Sequence, residues 1–288
     1  MSERGVLALF ILPAFLLLVV SQLYPLVQSL QLSFVDWTLA RSPEPRGFVG
    51  LANYVRALGD PVFREAFALS CLIAIVATSI EIVLGLLVAL CVVGEAKILR
   101  MTRTVFILPM VIAPVAVGTL WRMLLNGRSG PINYLLSLIG IQAPDWLGQP
   151  ATAVASIIAI DVWQWTPYVM IVLVAALSTL PAEVYAAAAV DGSGRWQLFR
   201  FITLPLLTPA ILLVFMFRLV DTFMILDTVY TTTFGGPGFS THTLSFYIYQ
   251  QGLRYYNLSY AAATSWLLLL TSLTAVVVIL FIRRQAQV

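Results

Sequence analysis

Between Val6 and Ile282, apolar residues gather into runs of roughly 20, the length an α-helix needs to cross a hydrocarbon layer about 30 Å thick. The runs lie at about residues 6–27, 67–93, 105–124, 151–177, 206–223 and 260–282. Backbone in lipid must satisfy its own hydrogen bonds, so each run is expected to fold as a helix. The chain is therefore predicted to be an all-α integral membrane protein with six spans in a single domain, residues 1–288. Composition agrees: 60% of residues are hydrophobic, only 10% are charged, and mean hydropathy is +0.95. A soluble domain would be about 25% charged. The first run outlasts the roughly 7–15-residue core of a signal peptide and lacks a small-residue cleavage site, which favours a retained span.

The charges give orientation rather than a binding partner. A net charge of +3 is too small to argue for nucleic acid, and the basic residues flank apolar runs instead of forming a patch. With the amino terminus inside, the short inner segments hold Arg4, Lys97, Arg100, Arg103, Arg195, Arg200, Arg283 and Arg284. The longer outer segments hold Arg41, Arg46, Arg56, Arg64, Arg128 and Arg254, offset in the first loop by Asp36, Glu44, Asp60 and Glu65. Basic residues concentrate on the cytoplasmic side, so both termini are expected there, in a multi-pass membrane protein. Cys71 and Cys91 fall on one helix about 30 Å apart, too far for a disulfide, and no metal site is suggested.

The polar stretch 180–205 is the densest in local signals. Pro181 suits the first position of a helix, and Glu183 in its first turn faces the positive end of the helix dipole. Ala186 to Ala189 leave one face nearly bare, and Gly192 is placed where a left-handed residue would end the helix. Trp196, Phe199 and Ile202 then recur at helical spacing before Pro205, which is predicted to open the next span.

At these residues the chain resembles the permeases of ABC importers. Ala187, Ala188, Asp191 and Gly192, followed by Ile202, Leu204 and Pro205, look like that family's cytoplasmic coupling loop. The resemblance implies a type I importer fold in which Glu183, Tyr185, Ala186, Ala187, Ala188, Asp191 and Gly192 dock on an ATP-binding subunit. Ala186 departs from the pattern, since the family usually carries glutamate there. Further stretches extend the likeness to the carbohydrate branch: Ser33–Trp37 (SFVDW), Phe48–Tyr54 (FVGLANY), Leu108–Pro114 (LPMVIAP), Val162–Tyr168 (VWQWTPY) and Phe217–Pro237. The last of these, with Ser259–Ser265, resembles the membrane subunits of maltose, trehalose or glycerol 3-phosphate transporters. Partners implied are a second permease, two ATP-binding subunits, an extracytoplasmic binding protein and a carbohydrate substrate.

Polar residues inside spans mark the pathway. Asp161, Gln164, Trp165 and Tyr168 are spaced to share one face of the fourth span, and Arg218, Asp221, Thr222 and Ile225 repeat the spacing in the fifth. An ionised side chain in a span costs roughly 2.5–3.5 kcal/mol on insertion scales, so it should face a cavity or a partner. Planar polar groups with aromatic rings suit a sugar, and the face carrying Asp161, Gln164, Trp165, Tyr168, Arg218, Asp221 and Thr222 is the candidate substrate site. Arg218 and Asp221 read equally well as an inter-helix or inter-subunit ion pair. Glu81 reads as a satisfied interior group of unknown partner, and His242 as a solvated residue of an outer loop.

Enzymatic chemistry lacks its parts. The chain has one histidine, no GxSxG or HExxH motif, and no GxxxxGK[ST] loop, so ATP and Mg are expected in partner subunits, with no cofactor on this chain. A secondary transporter or channel would also need polar spots in a helix bundle, but no inverted repeat of broken helices is evident.

Overall fold

The computed structural model describes residues 3–93 and 97–285. Among these, the regular elements are helices, and the only extended pairing is a single bridge between Val35 and Phe48. Helix α1 (Glu3–Leu18) passes through a π turn into α2 (Tyr24–Ser33); α3 (Ala52–Gly59) precedes α4 (Pro61–Val92), α5 (Lys97–Val111), α6 (Pro114–Leu124) and α7 (Pro131–Leu138). The long α8 (Pro150–Ser178) leads to α9 (Ala182–Val190), α10 (Arg195–Leu198) and α11 (Leu204–Phe223), followed by α12 (Asp227–Thr232), α13 (Leu244–Tyr249) and α14 (Leu258–Gln285). Five uninterrupted helical stretches are long and apolar enough to cross a membrane: Phe10–Ser33, Pro61–Val92, Pro150–Ser178, Arg195–Phe223 and Leu258–Phe281.

The spans differ from the expectation in several places, the second beginning at Pro61 rather than 67. The first span runs on to Ser33 because Tyr24–Ser33 stays helical through Gln28, Ser29 and Gln31; polar side chains at a span's end do not break a helix whose backbone bonds are intact. The fifth span begins at Arg195, not after Pro205. The segment Phe199–Thr203 widens into a π turn that joins α10 to α11 directly, just ahead of the proline that cannot donate to the ladder. The first span does the same at Val19–Leu23, ahead of Pro25.

The third span departs most. Predicted as one helix over 105–124, it is broken, and Thr104–Val111 meets Pro114–Leu124 at 98°. A residue preceding proline is driven out of the α region, and Ala113 obeys with φ −58° and ψ 135°. The two prolines of Leu108–Pro114 were the available signal.

The chain packs as two compact units. One comprises Met1–Arg64 with Tyr247–Thr271. Its polar centre is Asp60, which accepts hydrogen bonds from the Val62 N–H (2.9 Å), the Tyr247 hydroxyl (2.7 Å) and the Tyr260 hydroxyl (3.3 Å). The Arg56 guanidinium lies 4.4 Å from the centroid of the Tyr260 ring. The other unit comprises Glu65–Phe246 with Ser272–Val288 and is built around α8, which packs on α5, α6, α11 and α12. Ala89, Val169, Met170, Leu173 and Val214 form a buried apolar cluster there. Gly118 lets α6 approach α12 so closely that an added Cβ would fall 1.9 Å from Thr231 Oγ1. His242, expected to be solvated, is instead buried, edge-on to Phe239 and Phe246 at 5.4 and 5.0 Å.

Candidate functional site

Midway along the second unit's helices a single guanidinium gathers residues far apart in sequence. Arg218 on α11 is 2% exposed and donates from Nε to Glu81 Oε2 (2.7 Å) and from Nη2 to Glu81 Oε1 (2.9 Å), a two-pronged pair with α4. Nη2 also reaches Asp161 Oδ2 on α8 (3.0 Å) and the Thr222 hydroxyl (2.8 Å), while Nη1 donates to Asp221. Thr222 in turn donates to Asp161 Oδ2 at 3.3 Å. The Trp165 ring lies beneath the guanidinium, 4.8 Å from Cζ to centroid. Removing a charge from water is costly unless partners surround it, and here every member of the knot has one.

Glu81 thereby finds the partner that spacing could not name, 137 residues away. Its own side chain is 0% exposed. Of the acidic groups in the knot, Asp221 is the one that opens outward, its side chain 59% exposed, so the knot has a dry interior and a wet rim. The structure brings together Asp161, Trp165, Arg218, Asp221 and Thr222. Gln164, one turn from Asp161, is turned elsewhere: its amide donates to the Ile112 carbonyl at the broken third span, 3.1 Å away. Tyr168 is half-buried against the apolar cluster around Met170.

The 180–205 segment has the opposite character. Pro181 caps α9 in an extended conformation, so the first helical residue is Ala182, one position later than expected. At the other end the Ser193 N–H reaches the Ala188 carbonyl (3.0 Å) and the Gly192 N–H that of Ala189 (3.1 Å), a Schellman closure with Gly192 left-handed at φ +75°. Glu183, Ala186, Ala187, Asp191 and Gly192 are exposed; Ala188 is buried, and Tyr185 is half-buried with its hydroxyl 3.0 Å from that of Thr203. Val190, Trp196 and Phe201 add apolar surface to the same segment. The side chains of Arg4, Lys97, Arg100, Arg103, Arg283 and Arg284, six of the eight inner basic residues, lie outside the described residues.

The apolar helices, the buried ion knot and the exposed short helix between two spans are those of a multi-span membrane protein. Residues 81–287 match the binding-protein-dependent transport system inner membrane component family, and the chain belongs to it. It is 35% identical over 272 residues to the lactose transport system permease protein LacF of Rhizobium radiobacter, covering 91% of this chain and 88% of that one. It is 33% identical over 211 residues to the trehalose/maltose transport system permease protein MalF of Thermococcus litoralis, covering 73% and 70%. The fold matches a bacterial alginate ABC transporter solved with an alginate pentasaccharide-bound periplasmic protein: TM-score 0.85 at 22% identity, covering 99% of this chain and 96% of that one. The protein is thus a multi-pass inner membrane subunit of an ABC importer with the type I permease fold. Subunits of this family are not catalytic, and ATP is hydrolysed by separate polypeptides.

Proposed function

We propose that this permease carries a sugar, polyol or related carbohydrate, and that its pathway runs past the Arg218 knot. The single domain would pair with a second, similar permease, with two ATP-binding subunits holding ATP and Mg on the cytoplasmic side and an extracytoplasmic binding protein delivering the substrate. Both termini and α9 lie in the cytoplasm in this reading, which the distribution of basic residues supports. The relatives named for lactose and for trehalose/maltose support the substrate class.

The observation that carries the reading is the strip of polar and aromatic groups on α8 and α11 in an otherwise apolar bundle. Of the seven residues of the substrate face, Asp161, Trp165, Arg218, Asp221 and Thr222 gather at the knot, whereas Gln164 and Tyr168 flank it with their side chains turned to the Ile112 carbonyl and to the apolar cluster. Trp165 and Asp221 are its outward groups, a ring for the apolar side of a sugar and a carboxylate for its hydroxyls. ATP binding closes the ATPase pair, and α9, with Glu183, Ala186 and Ala187 exposed, Tyr185 half-buried and Ala188 buried, closed by Asp191 and Gly192, passes that movement to α8 and α11. The cavity then changes its side of access, one equilibrium biased by two ligands.

Uptake into proteoliposomes containing the whole complex tests this, with radiolabelled lactose, maltose and trehalose as probes and saturating binding protein. Trp165→Ala with Asp221→Asn leaves both buried carboxylates of the knot in place and is expected to cut uptake about tenfold or more, without changing the sugar affinity of the binding protein. Wild-type uptake in the double variant, or binding protein that retains no sugar, polyol or other carbohydrate, would overturn the proposal.

A further inference from the structure

The bend in the third span leaves a specific backbone group without its helical partner. In an unbroken helix the Ile112 carbonyl would accept from the Ala116 N–H; here Ala116 donates to Ala113 (2.9 Å), and Pro114 has no N–H to give. An unpaired carbonyl in an apolar bundle is costly. Gln164 Nε2 supplies the missing donor at 3.1 Å from a side chain only 1% exposed.

We infer that Gln164 is a positioning residue that latches the broken third span at its bend. One turn earlier on α8, Asp161 is tied through Arg218 to α4 and α11, so consecutive turns of one helix fasten three neighbours. The latch fixes the direction in which α6 leaves the break, and with it the close packing of Gly118 on Thr231. Leucine at position 164 would fill similar space but abandon the carbonyl; glutamate would keep the shape and donate only while protonated. The inference stands on the bend and does not need the face to touch a sugar.

The experiment reads geometry, not uptake, so it can fail while the carbohydrate reading stands. Spin labels go on cysteines replacing Val105 and Met123, both exposed and on opposite sides of the break, with Cys71 and Cys91 changed to alanine. Eighteen residues of straight helix would separate the two positions by about 27 Å, and the bend shortens this. In the complete complex in nanodiscs, wild type should give one short, narrow distance at both about pH 5 and about pH 9. Gln164→Leu should lower the ratio of the short-distance population to longer ones about tenfold. Gln164→Glu should restore the wild-type distance at the acid pH and lose it towards the alkaline one, a signature that packing alone would not produce. The titratable groups nearby are Asp161 on α8 with its partners Arg218 and Glu81 and the rim Asp221; residues 104–121 of the broken span contribute none. A wild-type distance in Gln164→Leu, or no rescue by Gln164→Glu at acid pH, would overturn the latch.

Discussion

The Arg218 knot and the α9 segment belong to the same unit but are held in place by different means. The knot keeps its shape through side chains: five helical residues besides Arg218 converge on one guanidinium, and two of the carboxylates have almost no contact with water. The segment keeps its shape mainly through backbone: an extended proline at one end and a left-handed glycine at the other, with the Tyr185–Thr203 contact and the buried Ala188 as the points where α9 is held. A dry network tolerates no missing member, whereas a surface helix of alanines leaves its outer face open for another protein. The contrast suits an element that fastens a bundle and one that receives force from outside it.

The largest effect is expected where the contrast is sharpest. Arg218→Met keeps much of the side chain's length but strips the cation from Glu81 and Asp161 together, and breaking a buried pair in this way costs about 3–5 kcal/mol. Little folded complex should survive detergent extraction, as read by size-exclusion yield and thermal unfolding. The double change Arg218→Met with Glu81→Gln should recover part of that loss, because fewer unpaired charges remain. Equal yield of wild type and Arg218→Met would place the knot in the same class as the surface segment and end the comparison.

A smaller and different effect is expected from Gly192→Val. A Cβ at Gly192 would meet nothing within 4 Å, so the cost is backbone strain alone, about 1–3 kcal/mol for a β-branched residue held at φ +75°. That is too little to unfold the bundle and comparable with the free energies that couple distant sites. The complex should assemble and melt close to wild type, while uptake per ATP hydrolysed falls several-fold in liposomes with loaded binding protein. Unchanged coupling would remove α9 from the transmission route; lost assembly would show that the segment is structural after all.

The same contrast explains what could be read in advance. The end of α9 at Gly192 was legible because Ala-rich helix, acidic first turn and glycine stop are all local. Asp161, Arg218, Asp221 and Thr222 were legible as two polar faces, since each face lies within one helix. Their joining through Glu81 was not, because nothing local ties position 81 to position 218. The break at Ile112 and Ala113 had a local sign in Pro109 and Pro114, but two prolines in an apolar run also fit a kinked continuous helix. His242 misled for the opposite reason: polar and between helices, it read as solvated, and only the fold brings Phe239 and Phe246 around it.

Asp60 supplies an intermediate case and the smallest expected effect. It is a carboxylate held without a cation in its hydrogen bonds: its acceptors serve the Val62 N–H at the start of α4 and the hydroxyls of Tyr247 and Tyr260. Burial works to raise its pKa, but the hydrogen bonds from Tyr247, Val62, Phe63 and Tyr260 together outweigh burial and hold the carboxyl below the ordinary aspartate value. A carboxyl whose folded pKa is lowered stabilises the folded state above its unfolded pKa, and that contribution disappears as pH falls through the folded value. Wild type should therefore lose melting temperature below about pH 4 more steeply than Asp60→Asn, with the two curves parallel above it. The difference should be modest, because Asp60 keeps contact with water and neutral donors grip it less than a guanidinium would. If Asp60→Asn instead collapsed the protein as Arg218→Met is expected to, burial of charge as such, rather than its pairing with a cation, would be what separates the knot from the exposed segment.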